Sequence, residues 1–255
     1  MKKINKIIGF HSGHDCSYCV LENGKPIVHN ELERFTRKKE HLGDALEFLN
    51  QTYDGYENVK YFTHVLDHWK GGFSTRYPNT TTKLSNIIKK NNGKFYYFGH
   101  HQAHAANAFY SSNFEDALII TLDAGGWDFK SNDFTEESKK MENMVFQDEG
   151  NGTVIKSLLD ENPNTGGVEI MVTGFTVSYG KGNKIERLMI KDIKHFNIGG
   201  VWNKCLEHVF GMSTGYPYGN QSGTVMAMAC MGEPGKYLDY FKDKIHLPNQ
   251  VIPND

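Results

Sequence analysis

The stretch INKIIGFHSGHDCSYCVLENGKPIVHN, residues 4–30, decides the fold of this chain. Apolar and β-branched residues over 4–10, 16–22 and 26–30 predict three strands. The dipeptide Asn23-Gly24 between the last two is a strong signal for a two-residue hairpin turn. A polar loop, HSGHD, joins the first two strands and places His11, His14 and Asp15 at its mouth. The chain therefore opens as a three-stranded meander.

Helices and strands alternate along the rest of the chain, which is typical of an α/β protein with a mixed sheet. The run 117–122 is continuously apolar and predicts a strand buried on both faces that stops at Asp123. The other strands are predicted over 61–66, 94–98, 168–179 and 184–191. The helices are predicted over 45–53, 82–90, 100–110, 201–210 and 224–230.

The bulk composition narrows the class of protein. The 255 residues include 28 Lys and Arg against 30 Asp and Glu, so no basic surface indicates a nucleic-acid partner. No apolar run has the length of a membrane span, and the N-terminal apolar run is too short for a signal peptide. The four cysteines show no framework spacing. We therefore expect a protein of the reducing cytoplasm.

Two histidines carry the sharpest chemical signal. His100 and His104 lie four residues apart, a spacing that puts both imidazoles on one helix face and allows them to share a metal ion. A third ligand would have to come from elsewhere. The spacing is also compatible with ordinary helix-face histidines bonded to backbone or water.

Three further segments offer candidate site residues, each with a plainer alternative. The run LDAGG at 122–126 places Asp123 after a predicted buried strand, with Gly125 behind it, or is simply a capped turn. The loop GFHSGHD at 9–15 can cradle an anion or be a solvated hairpin loop. The run ERFTRKK at 33–39 can hold phosphates through Lys38 and Lys39, or be a solvated charged face.

Taken in order, these segments resemble the N-terminal part of the carbamoyltransferase family that includes nodulation and antibiotic O-carbamoylating enzymes. The resemblance rests on a glycine–histidine–aspartate loop, an RFTRKK stretch, an HHxxHA motif and a strand ending near Leu-Asp-Gly. A later segment, 222–237, resembles another family motif. The matching residues are Gly13-His14-Asp15, Arg34 to Lys39, His100 to Ala105 and Leu122 to Gly125.

The resemblance implies a fold and a reaction. The fold is that of ribonuclease H-like lobes in the actin-like and sugar-kinase-like ATPase superfamily. The reaction uses ATP and carbamoyl phosphate as co-substrates, forms a carbamoyl adenylate, and passes the carbamoyl group to a hydroxyl of a nucleoside, sugar or other small acceptor. The implied metal is iron, with zinc or manganese as alternatives.

The resemblance also implies roles for single residues. His100 and His104 become metal ligands, and the family's third ligand, an aspartate, lies in a later part of its chain. Asp123 lines the cleft near phosphate or acceptor hydroxyl. The resemblance makes His14, Asp15 and Asp123 the catalytic candidates. It makes Lys38, Lys39 and Gly125 the candidates for binding phosphate or nucleotide.

This chain also departs from the family pattern. Its members are usually about twice as long. Thr224 stands where a lysine is usual, Gln221 where a glutamate is common, and Ala124 interrupts Asp-Gly. We therefore predict a first lobe over 1–127, a polar insertion over 128–167 and an incomplete second lobe over 168–255.

The predicted function is that of the N-terminal half of an O-carbamoyltransferase, completed by a second protein. Two alternatives stay open. One is a non-catalytic partner subunit that binds metal or nucleotide, and the other is a sugar-kinase-like phosphotransferase.

Overall fold

A computed structural model describes residues 5–66, 78–132, 169–195, 197–212, 214–215, 219–236 and 239 of the chain. The chain divides into two compact units, Met1–Asn203 and Lys204–Asp255. The larger unit contains two β-sheets and the helices that pack on them. Within the described residues no helix is both long and apolar enough to cross a membrane.

The first sheet is mixed and has five strands in the order β3-β2-β1-β4-β5. The first three strands form an antiparallel meander, and the last two run parallel to β1. The strands are β1 (Lys6–His11), β2 (Ser17–Glu22), β3 (Lys25–Glu31), β4 (Tyr61–Val65) and β5 (Lys94–Phe98).

The predicted opening meander is confirmed, and local sequence explains it. Asn23 and Gly24 both have positive φ, 51° and 81°, as a type I′ hairpin turn requires. Ile8 and Phe10 alternate with less buried residues along β1, so one sheet face points into the core.

Three helices accompany the first sheet: α1 (Leu32–Thr36), α2 (Ala45–Thr52) and α3 (Pro78–Lys90), with a short 3₁₀ helix at Tyr56–Asn58. Asp44 caps α2 by accepting hydrogen bonds from the backbone N–H groups of Leu46 (3.0 Å) and Glu47 (3.3 Å). The apolar faces of α2 and α3 join the sheet in one core, centred on buried residues such as Leu49, Phe62, Leu84 and Phe95.

The second sheet is antiparallel, in the order β6-β7-β8. Its strands are β6 (Asp116–Phe129), β7 (Ile170–Lys181) and β8 (Lys184–Asp192), and helix α4 (His100–Tyr110) lies against β6 and β7. Ala105 and Phe109 of α4 pack on Ile119 of β6 in a small separate core. The mixed α/β class is confirmed.

The prediction for residues 117–122 was wrong in two respects. The strand is not buried on both faces, since Leu118, Ile120 and Leu122 are 62%, 57% and 50% exposed. It also does not stop at Asp123, because pairing with β7 resumes at Gly126 after an irregularity and continues to Phe129. An apolar run alone does not reveal which of its faces another layer covers.

The end of β6 overlaps the start of the predicted insertion over 128–167. Its first two residues, Asp128 and Phe129, belong to β6 and are fully buried. Residues 133–168 lie outside the described part of the chain.

The remaining elements are α5 (Ile198–His208), the two-residue strands β9 (Thr214–Gly215) and β10 (Gly219–Asn220), and α6 (Ser222–Ala229). Both helices were predicted to within three residues at either end. Gln221 is the N-cap residue of α6, and Thr224 is exposed on its first turn.

Candidate metal centre

Helix α4 presents His100 and His104, the first and last histidines of the HHxxH motif, at its first turns. Strand β5 ends at Phe98, Gly99 is the N-cap residue, and the helix begins at His100. A buried stripe of His101, Ala105 and Phe109 fixes the helix against the second sheet. His100 and His104 flank that stripe, with side chains 28% and 54% exposed.

Strand β6 brings a carboxylate to the same place. Asp123 lies in the irregularity of β6, between the paired residues Leu122 and Gly126. Its Oδ2 atom contacts His100 Nε2 and lies 3.4 Å from His104 Nε2, while the two Nε2 atoms are 3.0 Å apart. One ligand atom from each of the three residues lies within 4.8 Å of the others.

Sequence reasoning placed Asp123 in the same cleft as the two histidines but did not predict it as a metal ligand. It assigned Asp123 a catalytic role beside phosphate or acceptor, and it took the third metal ligand from a later part of the family's chain. The structure brings the Asp123 carboxylate beside both imidazoles, and the catalytic role of Asp123 stays a prediction. Among the described residues this is the one group of three or more such side chains that could hold a metal ion.

Electrostatics keep the Asp123 carboxyl group ionised. Its partial burial acts to raise the pKa, but hydrogen bonds from His100 and His104 outweigh burial and hold the pKa far below its ordinary value. A carboxylate binds a metal ion in its ionised form, so the group is already in the required state.

Gly126 allows this close approach. A Cβ atom at Gly126 would collide with the ring and Cβ of His100. The sequence suggested that glycines of the LDAGG run let a phosphate approach the backbone, whereas at Gly126 the neighbour is an imidazole. Gly125 has φ 150°, and a Cβ atom there would meet the side chain of Ile193.

The GHD loop is a second, separately anchored feature. His14 Nδ1 lies 2.7 Å from Asp15 Oδ2, and this hydrogen bond from His14 is the main cause that lowers the pKa of Asp15. The loop is held by paired backbone hydrogen bonds between Gly13 and Gly43 (2.9 and 3.0 Å). Neither His14 nor Asp15 belongs to the group of three ligands.

The predicted phosphate-binding lysines lie on the stretch that follows α1. Lys38 and Lys39 are both exposed. The positive charge of Lys39 contributes to lowering the pKa of Asp15, so this lysine lies near the GHD loop. Of the two predicted phosphate-binding lysines, Lys39 is therefore the one that lies near Asp15.

The sheet topology relates the GHD loop to α4. Strands β1 and β5 run parallel, with β4 between them. The loop follows the carboxyl end of β1, and α4 follows the carboxyl end of β5. Both therefore start from the same edge of the sheet, about 10 Å apart at the strand ends because neighbouring strands lie about 4.8 Å apart. That edge is where α/β proteins place ligand chemistry.

Part of the chain is similar to a known protein. The chain is 32% identical over 120 residues to "Uncharacterized protein MJ1051" of Methanocaldococcus jannaschii. The aligned part covers 47% of this chain and 22% of that relative. No model of a known protein family matches the chain.

Proposed function

We propose that His100, His104 and Asp123 form a metal centre. The observation that carries the proposal is the convergence of two imidazole nitrogens and one ionised carboxylate from two different elements within 4.8 Å. This donor set suits iron(II) at a non-haem site, and it also suits zinc or manganese. All three side chains keep some exposure, which leaves the centre accessible to a substrate.

We further propose that the chain is the N-terminal half of an O-carbamoyltransferase. Its motifs occur in the family's order, and the strand order β3-β2-β1-β4-β5 fits a ribonuclease H-like lobe of the actin-like ATPase superfamily. The metal ion, when bound, supplies Lewis acidity that polarises the carbamoyl carbonyl and offsets charge on the leaving group.

The chain's own residues then have distinct tasks. Asp15 orients the His14 imidazole through their hydrogen bond, for general-base help to the acceptor hydroxyl. Lys38 and Lys39 bind phosphate oxygens of ATP or carbamoyl phosphate through their exposed ammonium groups. Gly125 lies two residues from Asp123, and its proposed role is to offer its backbone N–H to a phosphate group, because the space beside its Cα is already occupied by Ile193.

A second protein carrying the C-terminal half completes the enzyme. Support comes from the outer face of the second sheet, where Leu118, Ile120 and Leu122 are at least half exposed. Tyr179 of β7 pairs with Leu118 and extends this apolar face. An exposed apolar sheet face of this kind marks a protein-binding surface.

The proposed compartment is the cytoplasm. All four cysteines, Cys16, Cys19, Cys205 and Cys230, are free. Free thiols persist in a reducing compartment.

The test of the reaction uses the anaerobically purified chain together with a candidate second-half protein from the same genome. ATP, radiolabelled carbamoyl phosphate and a panel of small hydroxyl acceptors are added, and transfer of the label to an acceptor is measured, with pyrophosphate as a separate measure of adenylate formation by the second half. We expect label transfer from the native pair and background transfer from His104→Ala. The matched control is His29→Ala, which removes an exposed histidine of β3 and is expected to retain native transfer.

Three outcomes would contradict the proposal in different ways. Turnover by His104→Ala equal to that of the native chain would show that the metal centre takes no part in the reaction. A complex whose partner is active without this centre would indicate a non-catalytic subunit. Formation of ADP and a phosphorylated acceptor would indicate a sugar-kinase-like reaction instead.

A further inference from the structure

A buried carboxylate on β6 holds the first turn of α4 with both of its oxygens. Asp128 is fully buried, and so is its partner His101. Asp128 Oδ1 accepts a hydrogen bond from the His101 backbone N–H (2.9 Å), and Oδ2 accepts one from His101 Nδ1 (2.7 Å). A buried charge is costly unless it is fully bonded, so this arrangement strongly favours one geometry.

Asp128 performs the task that an N-cap side chain usually performs. Gly99, the N-cap residue of α4, has no side chain to offer the orphan N–H groups of the first turn. Asp128 supplies the missing acceptor to the second helical residue from a strand 27 positions along the chain. The glycine is required for this, because a Cβ atom at position 99 would collide with Asp128 Oδ1.

The contact between Asp128 and His101 also fixes the orientation of the candidate ligands. His101 lies between the two candidate ligands in sequence, and its ring packs edge-on against His100 with a centroid distance of 5.2 Å. Its centroid is 6.2 Å from that of His104. Asp123 and Asp128 belong to the same strand, so fixing His101 on Asp128 fixes His100 and His104 relative to Asp123.

A second charged residue, on β8, stabilises the strand end that carries Asp128. Arg187 is buried, and burial lowers its pKa, while the negative charge of Asp128 partly opposes this lowering. Arg187 donates to the carbonyl oxygens of Phe129 (2.7 Å) and Lys130 (2.7 Å), directly after Asp128. The end of β6 that carries Asp128 is therefore held in place on both sides.

We infer that Asp128 is a positioning residue that, through His101, holds the imidazoles of His100 and His104 against Asp123. This inference rests on the proposed metal centre for its consequence in binding, but the positioning itself concerns the metal-free chain as well. Asp128 does not touch the metal ligands directly, so its effect passes through the orientation of α4.

The experiment compares Asp128→Asn with Asp44→Asn in the full chain. Both changes weaken a carboxylate cap of a helix, but Asp44 caps α2 in the first sheet. Cobalt(II) is titrated anaerobically as the probe, with the visible spectrum reporting its coordination. Partners that orient a metal ligand typically contribute 10- to 100-fold in affinity, so we expect about that loss for Asp128→Asn and native affinity for Asp44→Asn. Unchanged affinity and spectrum in Asp128→Asn would overturn the inference.

A second readout separates this inference from the metal centre itself. Imidazole nitrogen NMR signals of His100 and His104 are compared in the metal-free proteins. We expect them to shift in Asp128→Asn and to stay in place in Asp44→Asn. If the native chain binds no cobalt while these signals shift, the metal centre fails and the positioning role stands. If the signals do not move, the positioning role fails.

A second variant covers the case in which Asp128→Asn does not fold. His101→Leu keeps the backbone bond to Asp128 Oδ1 and removes the Nδ1 bond together with the ring contact to His100. We expect it to weaken cobalt binding in the same direction. Native affinity and native imidazole signals in folded His101→Leu would overturn the inference.

Discussion

The two sheets of this chain begin alike and end differently. Each starts with three antiparallel strands in sequence order, β1-β2-β3 and β6-β7-β8. The first sheet adds two parallel strands and shares one core with α2 and α3. The second, in the part of the chain described, packs α4 on one face and leaves apolar residues exposed on the other. The first sheet therefore provides the stable core, and the second provides Asp123 and an open surface beside the candidate centre.

The largest expected contrast is in the cost of removing an apolar side chain from each sheet. Phe62 of β4 is fully buried, so Phe62→Ala should cost about 3–5 kcal/mol of unfolding free energy. Ile120 of β6 is 57% exposed, so Ile120→Ala should change stability by no more than about 0.5 kcal/mol. Urea unfolding of both variants measures the contrast. Comparable losses in the two variants would show that the outer face of the second sheet is covered in solution.

The second sheet has a polar anchor whose removal should be the next largest effect. Arg187 donates to the carbonyl oxygens of Phe129 (2.7 Å), Lys130 (2.7 Å) and Ser131 (3.0 Å). Arg187→Met keeps much of the side-chain volume but removes the donor to these carbonyl oxygens. The free energy of unfolding should therefore fall by about 1–3 kcal/mol. Thermal unfolding checks this value. A variant as stable as the native chain would mean that water or another group replaces the guanidinium.

The first sheet carries a buried imidazole that should make its stability depend on pH. Burial holds the pKa of His64 well below its ordinary value, and repulsion from His11 adds to this. The unfolded chain takes up a proton below about pH 6.5 while the folded ring stays neutral. Stability should therefore fall as pH falls below about 6.5, by up to about 1.4 kcal/mol per pH unit from this group.

The matched variant for this prediction is His64→Gln, which keeps an acceptor for the Ser12 N–H that now bonds to His64 Nε2 at 3.2 Å. Urea unfolding at pH 7.5, 6.5 and 5.5 gives the slope of the unfolding free energy against pH for each chain. The variant should show the shallower slope. Equal slopes would mean that His64 is protonated in the folded chain.

The smallest expected effect lies in the exposed GHD loop. The Asp15 side chain is 56% exposed, and solvent screens its ion pair with His14. Asp15 also has φ 54°, a conformation that asparagine adopts readily. Asp15→Asn should therefore change the unfolding free energy by less than about 0.5 kcal/mol. A larger loss in thermal unfolding would show that the loop contributes to the core of the first sheet.

Local signals were sufficient to predict the first sheet. The Asn23-Gly24 turn, the apolar and β-branched run over 4–10 and the run of Lys94–Phe98 each specify their own element, and the structure confirms all three. The burial of 117–122 was predicted wrongly, because whether a second layer covers an apolar strand is a tertiary property. The helical spacing of His100 and His104 was likewise readable from the sequence alone.

The grouping of His100, His104 and Asp123 as three ligands could not be predicted from the sequence in the same way. Asp123 reaches the two imidazoles only because α4 packs on β6 in one register, and Gly126 permits that register. Asp128 was missed altogether, since its partner His101 lies 27 residues away. The available signal was an N-cap glycine at position 99, which implies that the first turn of α4 takes an acceptor from elsewhere.

The most direct measurement of the central claim is the metal content of the anaerobically purified chain, determined by plasma mass spectrometry. The native chain is compared with His100→Ala/His104→Ala, Asp123→Ala and the control His29→Ala, each after incubation with iron(II) and gel filtration. We expect close to one metal ion per chain in the native protein and the control, a large loss in Asp123→Ala, and none in the double variant. Equal metal content in the double variant and the native chain, or no metal in any of them, would contradict the assignment of His100, His104 and Asp123 as a metal centre.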